Sequence, residues 1–217
     1  SMTKALFVCY HHGCRGEGLS YKLSQHSFFN TLKADIVNGR TILKNEFFEK
    51  KLLHSWNVDL STLALPVTGD NIVVPSHYFY NTLKNYFPNE YYVSIDAPTD
   101  LEKFRQDLYD RFFEYKTSDL LELVGECENR IREYNQHVST DEIKKFTAKI
   151  IKMKNVTFGS IRCMANNMDP TEENKKMLLN RYTAGILSDE IKQNSLVIAY
   201  DDVKYVNAQD VVDYFNK

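Results

Sequence analysis

Cysteine is scarce in this chain and never paired. The four thiols, Cys9, Cys14, Cys127 and Cys163, are scattered with no Cys-x-x-Cys spacing, which argues against a disulfide framework and for reduced thiols inside a cell. His26, His54 and His137 have no cysteine at ligand spacing, so no structural zinc site is expected. Long apolar runs are also missing. With no extended apolar region at the N-terminus or elsewhere, neither a secretory signal nor a spanning segment is expected. Neither sign of charge predominates: 27 Lys and Arg face 29 Asp and Glu, a formal net charge of -2, so no global pull toward nucleic acid or an anionic membrane is expected. Repeats, low-complexity tracts and an obvious linker are lacking too.

What remains has globular character. Hydrophobic residues at 43% and charged residues at 26% exclude disorder and fibrous classes, and 217 residues suit one domain with a well-buried core. Abundant Tyr, Asn, Lys and Phe fit an AT-rich coding genome, such as that of a virus or protist; the expected location is the cytoplasm, or the host cytoplasm for a viral protein. Ser1 before Met2 reads as a tag remnant.

The chain is organised around Lys4 to Ser24. An apolar run from Ala5 to Tyr10 enters a loop carrying Gly13, Gly16 and Gly18, and a helical pattern with Leu19 and Leu23 on one face follows. In a strand–glycine loop–helix layout, backbone N–H groups and the helix dipole point at an anion. The spacing matches the phosphate-loop pattern through Gly13, Gly18, Leu19 and Ser20, with Leu19 in the place of the phosphate-binding lysine. The expected cradle is therefore His12, Gly13, Cys14, Arg15, Gly16, Glu17, Gly18, Leu19 and Ser20. The alternative is a glycine-rich turn that only packs tightly.

Further along, the helix reads to about Lys33, and Thr41 to Leu43 is a short strand candidate. An amphipathic helix is expected from Phe47 to Trp56, and irregular chain from Leu60 to Pro66. Asn71 to Pro75 reads as a buried strand that delivers Ser76 and His77, followed by a helix from Tyr78 to Tyr86. Glu90 to Ile95 is the next strand, ending on Asp96. Helices are expected over Thr99 to Tyr115, Thr117 to Tyr134 and onward from Ser139, the first and third with capping-box spacing. Gly159 falls in a connector. Asp169-Pro170 starts another helix with Pro at its first turn, Ser195 to Tyr200 is the last strand, and Ala208 to Phe215 the closing helix. Alternating strands and helices predict an α/β, three-layer P-loop-like fold with a mainly parallel sheet of about five strands; 117–182 is a helical insertion or lid within a single domain, 1–217. Ligands of such sheets sit at the carboxyl ends of the strands.

Three segments resemble the sulfotransferase branch of P-loop folds: the glycine loop, where that family holds the 5′-phosphosulfate of 3′-phosphoadenosine 5′-phosphosulfate (PAPS); NIVVPSHYF, resembling the strand that ends on its general-base histidine; and YYVSIDAPTDLEKFRQDLYDRF, resembling the next strand and helix. SLVIAYDDV resembles the family's hydrophobic strand closing on Tyr-Glu-Asp-Leu. The likeness runs over about half the chain. It implies PAPS as donor, a small phosphorylated or sulfated ligand at the loop, and His77 as base. The sequence departs from the family at Leu19, at Pro75 in place of the lysine before the histidine, and at Asp96, which stands where an arginine should hold the 3′-phosphate and would repel it. The late Arg-Lys-Gly segment is missing.

Each candidate also has a plain structural reading. A neutral histidine at a strand's carboxyl edge can take a hydroxyl proton, or simply close a turn. Arg15 can supply a bidentate charge, lie exposed, or pair with Glu17, whose carboxylate opposes an anion. His11 and His12 point apart, so one at most reaches the site. Cys14 becomes reactive where amides and Arg15 lower its pKa. Asp96 either holds Mg²⁺ with Ser20, in a nucleotide-kinase or NTPase alternative, or caps a turn. Asp201 and Asp202 read as turn residues. The lysines from Lys144 to Lys154 suit phosphate contacts or a solvated face. A catalytically inactive relative that serves as a binding or interaction protein is the other class of function.

Overall fold

The computed structural model describes residues 4–29, 34–37, 40–43, 52–54, 58–65, 69, 71–135, 137–182 and 186–217, with backbone alone at 34–37, 40–43 and 182. Its contacts divide it into two compact units, Ser1–Pro98 with Gly185–Lys217, and Thr99–Ala184.

The first unit is built on four parallel strands. β1 (Ala5–Cys9), β4 (Ile72–Ser76), β5 (Tyr91–Asp96) and β6 (Leu196–Ala199) lie in the order β4-β1-β5-β6; β2 (Ala34–Val37) and β3 (Arg40–Leu43) form a separate antiparallel pair. The parallel sheet thus has four strands rather than about five. β1 is apolar and buried along its whole length, as a strand covered on both faces must be. Pro75 sits within β4 opposite Val8, and β4 is an edge strand, where a residue without an N–H leaves no ladder bond unmade.

Alternate residues of the strands face opposite layers. Ala5, Phe7, Cys9, Ile72, Val74 and Tyr92 share a core with Leu83 of the short helix α2 (Tyr80–Leu83) and Ile191 of α8 (Asp189–Asn194). Phe7 lies 5.1 Å from Phe87 and 5.3 Å from Tyr92, ring centre to ring centre. Helix α1 (Gly16–Ser24) packs on β4 and β1 through Leu19 and Leu23. It ends nine residues short of the Lys33 expectation, because His26 Nδ1 accepts from the Phe28 amide and turns the chain into a 3-10 segment, Ser27–Phe29. The expected helix over 78–86 is likewise reduced to α2, since Ser76 Oγ bonds both the amide and the carbonyl of Tyr78 and holds that stretch out of the helix. The Phe47–Trp56 helix lies outside the described residues, apart from a turn at 52–54.

The second unit is helical: α3 (Leu101–Leu108), continued by a π turn at Tyr109–Phe113, then α4 (Leu120–Tyr134), α5 (Thr140–Ile151), α6 (Phe158–Ala165) and α7 (Glu172–Tyr182). Polar caps start them. Asp100, not Thr99, caps α3, Asp119 caps α4, Thr157 caps α6, and Ser139 with Glu142 makes the expected capping box. Cys127, Ile150 and Ile161 form the centre of its core. Gly159 is helical rather than a connector residue. A Cβ there would lie 2.9 Å from both the Phe113 ring and the Phe113 carbonyl, so only glycine lets α6 approach so closely. The closing helix of the first unit, α9 (Ala208–Phe215), stacks Phe215 on Tyr91 at 4.6 Å.

Candidate functional site

The chain leaves β1 for β4 on one side and afterwards reaches β5 on the other, so the strand order reverses beside β1. In open parallel sheets the crevice at such a reversal, beyond the carboxyl ends of the strands, is where ligands bind. The segment that fills this position is Tyr10 to Arg15, immediately before α1.

Its shape is set by two left-handed residues and one buried ring. Gly13 (φ 80°) and Arg15 (φ 66°) both lie in the left-handed region, and Cys14 N donates to the His11 carbonyl at 3.0 Å. Tyr10 is buried, with its ring against Gly16: a Cβ at 16 would fall 1.9 Å from a ring carbon. Gly16 is therefore required by the protein's own tyrosine. Gly18 is not so constrained. Nothing lies within 4 Å of a Cβ built there, and the residue is already inside the helix, so the second phosphate-loop glycine has no steric role in this chain.

The predicted cradle divides into a buried and an exposed half. Leu19 and Cys14 point into the core. Ser20 is fully buried and its hydroxyl donates to the Gly16 carbonyl at 2.7 Å, a bond within the helix that uses the group a metal ion would need. The Cys14 thiol is pushed up to about 12, chiefly by burial, with Arg15 opposing and the Asp96 carboxylate adding to the rise. The expectation of a reactive Cys14 is thus overturned: desolvation outweighs the adjacent cation. Gly13, Arg15, Glu17 and Gly18 are exposed, and His12 half-buried. The Arg15 guanidinium rests 4.4 Å from the centre of the Tyr200 ring, just past the end of β6. Asp96 Oδ1 accepts from the Ala97 amide at 2.9 Å and so closes its own turn.

The imidazoles gather on the β4 side. His77, one residue past β4, places Nδ1 2.8 Å from the Tyr10 carbonyl; because a carbonyl only accepts, Nδ1 carries the hydrogen and Nε2 is the basic nitrogen. The His77 ring meets the Tyr10 ring at 4.7 Å, the His54 ring at 4.6 Å and the His12 ring at 6.1 Å. His11 turns away, 4.8 Å from Phe79. The Tyr10 hydroxyl lies 2.6 Å from His54 Nε2, and burial, then the Glu17 carboxylate, hold its pKa well above that of an ordinary phenol, so the hydroxyl in this bond is neutral. His54 Nε2 is also 3.5 Å from Glu17 Oε1.

Tyr10 and His54 were not legible as site residues. Tyr10 reads as the last apolar residue of β1, and nothing in the spacing ties His54 to His77, which meet because the His77 amide donates to the Leu53 carbonyl at 2.9 Å. Among the described residues no three His, Cys, Asp or Glu side chains are placed to hold a metal ion, and no helix is long and apolar enough to cross a membrane. Comparison with protein-family models, with curated proteins and with solved structures gave no match.

Proposed function

We propose that the carboxyl edge beside β1 binds a phosphorylated or sulfated anion, and that His77 is the base that takes the proton of a hydroxyl acceptor during sulfuryl transfer, as in the sulfotransferases the sequence resembles. The observation that supports this reading is the hydrogen bond from His77 Nδ1 to the Tyr10 carbonyl, which puts the hydrogen on Nδ1 and makes Nε2 the basic nitrogen of a ring beside the loop. Arg15, at the N-terminus of α1, supplies the positive charge, and the dipole of α1 adds to it.

The fit to PAPS is partial. Its phosphosulfate end suits Arg15 and the first turn of α1, whereas its 3′-phosphate would meet the Asp96 carboxylate. A second reading, a non-catalytic anion-binding or interaction protein, is favoured by a specific observation: Leu19, in place of the phosphate-loop lysine, is buried in the core. Mg²⁺-dependent nucleotide chemistry has less support, since the Ser20 hydroxyl is bonded to Gly16.

Thermal unfolding with PAPS, its desulfated product PAP, ATP and GTP, each with and without Mg²⁺, separates these readings. The expected result is stabilisation by PAPS and PAP, on the order of 2.7 kcal/mol at a hundredfold excess over Kd, and its loss in Arg15→Ala. Mg²⁺-dependent stabilisation by ATP or GTP would move the protein to the kinase-like class, and no response to any of the four would leave the interaction protein.

A further inference from the structure

The end of the helical unit formed by the start of α4 and the end of α5 exposes apolar side chains that the core does not use. Leu121 is 84% exposed, Leu120 56%, Ile151 44% and Met153 41%. Chain proximity is direct: Thr117, Ser118 and Leu123 line one cleft of about 300 Å³ with Ile150, Met153 and Asn155. Met153 lines this cleft, and Leu120, Leu121 and Ile151 lie within three residues of its lining.

Charge around them is predominantly positive. Lys116, Lys149, Lys152 and Lys154 are all exposed and make no ion pair among the described residues. The carboxylates nearby keep their charge but are held locally: Glu114 pairs with Lys175, Asp119 accepts from the Leu121 and Glu122 amides, and Glu122 accepts from Thr117 Oγ1 at 2.9 Å.

We infer that this end of the helical unit is a docking surface for an anionic lipid bilayer, with Leu120, Leu121, Ile151 and Met153 entering the interface and the four lysines meeting the headgroups. Exposed aliphatic side chains accompanied by lysines suit a lipid surface better than a protein one, because protein interfaces are depleted in Lys and their strongest contacts are Trp, Tyr and Arg. Lysine stems lie along apolar surface while their ammonium groups reach phosphate. The balanced net charge of the chain does not oppose this, since a polybasic patch acts within a Debye length of the bilayer. The inference is independent of the anion site at β1.

The test is cosedimentation of the full chain with vesicles of phosphatidylcholine alone and of phosphatidylcholine mixed with phosphatidylserine. Binding is expected on the mixed vesicles only, and it should fall as salt is raised. Lys152→Gln with Lys154→Gln should weaken it about 25-fold, at about fivefold per lysine, and Leu121→Ser about tenfold; the largely exposed position of Leu121 leaves folding intact, which circular dichroism checks. Binding to neither vesicle, equal binding to both, or binding unaffected by these substitutions would overturn the assignment. So would a dimer in solution that Leu121→Ser disrupts without any vesicle binding, which would give the surface to a second copy of the chain.

Discussion

The two units solve the problem of buried polarity differently. Among the described residues of the sheet unit, the buried polar side chains apart from tyrosine hydroxyls are serines: Ser20, Ser24, Ser76, Ser94 and Ser195. The helical unit instead buries Arg162 and Lys175 along with Thr147 and Thr157. Arg162 faces Glu126 at 4.0 Å and Glu133 at 3.8 Å, and Arg130 bonds Glu133 at 2.6 Å, so four charges meet between α4 and α6. A parallel sheet can fill its core with continuous apolar strands and leave its charged and imidazole groups at the carboxyl edge, where they are available to a ligand. Short amphipathic helices have narrower apolar stripes, and here ion pairs fill the gaps between them. Polar residues are thus functional candidates at the sheet's edge and structural ones inside the helical unit.

The most direct way to break that contrast is to remove one charge from the network. Arg162→Ala should destabilise the protein by about 3 kcal/mol, because two carboxylates remain beside a single arginine, while Arg162→Met, which keeps the stem, should cost less; urea unfolding measures both. A result near zero for Arg162→Ala would mean that these charges are solvated and that the contrast between the units is false. The sheet unit gives the next largest effect. Gly16→Ala forces a methyl into the Tyr10 ring and should cost about 2 kcal/mol, whereas Gly18→Ala, with open space around it in a helix, should be neutral or stabilising by up to about 1 kcal/mol. Equal costs at 16 and 18 would mean that the Tyr10 ring does not set the requirement for glycine at 16.

The smallest effect is one of pH. A hydrogen bond from Lys175, then one from the Tyr109 hydroxyl, holds the Glu114 carboxyl below its ordinary value of 4.5. A carboxylate with a lowered folded-state pKa contributes stability above the ordinary value and loses it as pH falls through the lowered one. Glu114 is 41% exposed, so the contribution is modest. Stability measured from neutral pH down through the carboxylate range should show a shallower acid loss in Lys175→Met than in the wild type. An unchanged slope would remove Lys175 from the account.

Much of the fold was readable because its signals are local. The apolar runs of β1, β4, β5 and β6 and the Ser139–Glu142 box each depend on a few neighbouring residues, whereas Pro75, expected at the end of its strand, lies within β4. Side-chain capture of the backbone was not readable: His26 ends α1, Ser76 delays α2, and Asp100 caps α3 in place of Thr99. The strand at 34–37 was missed although Asn38-Gly39 is a strong hairpin dipeptide. At the site, the sequence places His77 and the glycine loop at the carboxyl ends of two strands, and the pairing of β1 with β4 makes those ends neighbours. The fate of the loop's interior did not, since no spacing rule says that Tyr10 folds back over Gly16 or that Cys14 and Ser20 turn inward. Burial decides those roles, and burial is a property of the assembled chain.

The account rests on His77 as a correctly protonated base facing an anion. Nuclear magnetic resonance of its ring nitrogens reads both parts at once: at neutral pH the hydrogen should sit on Nδ1, and the ring signals should shift on adding PAP in the wild type but not in Arg15→Ala. A hydrogen on Nε2, or ring signals indifferent to every phosphorylated and sulfated ligand offered, would contradict it.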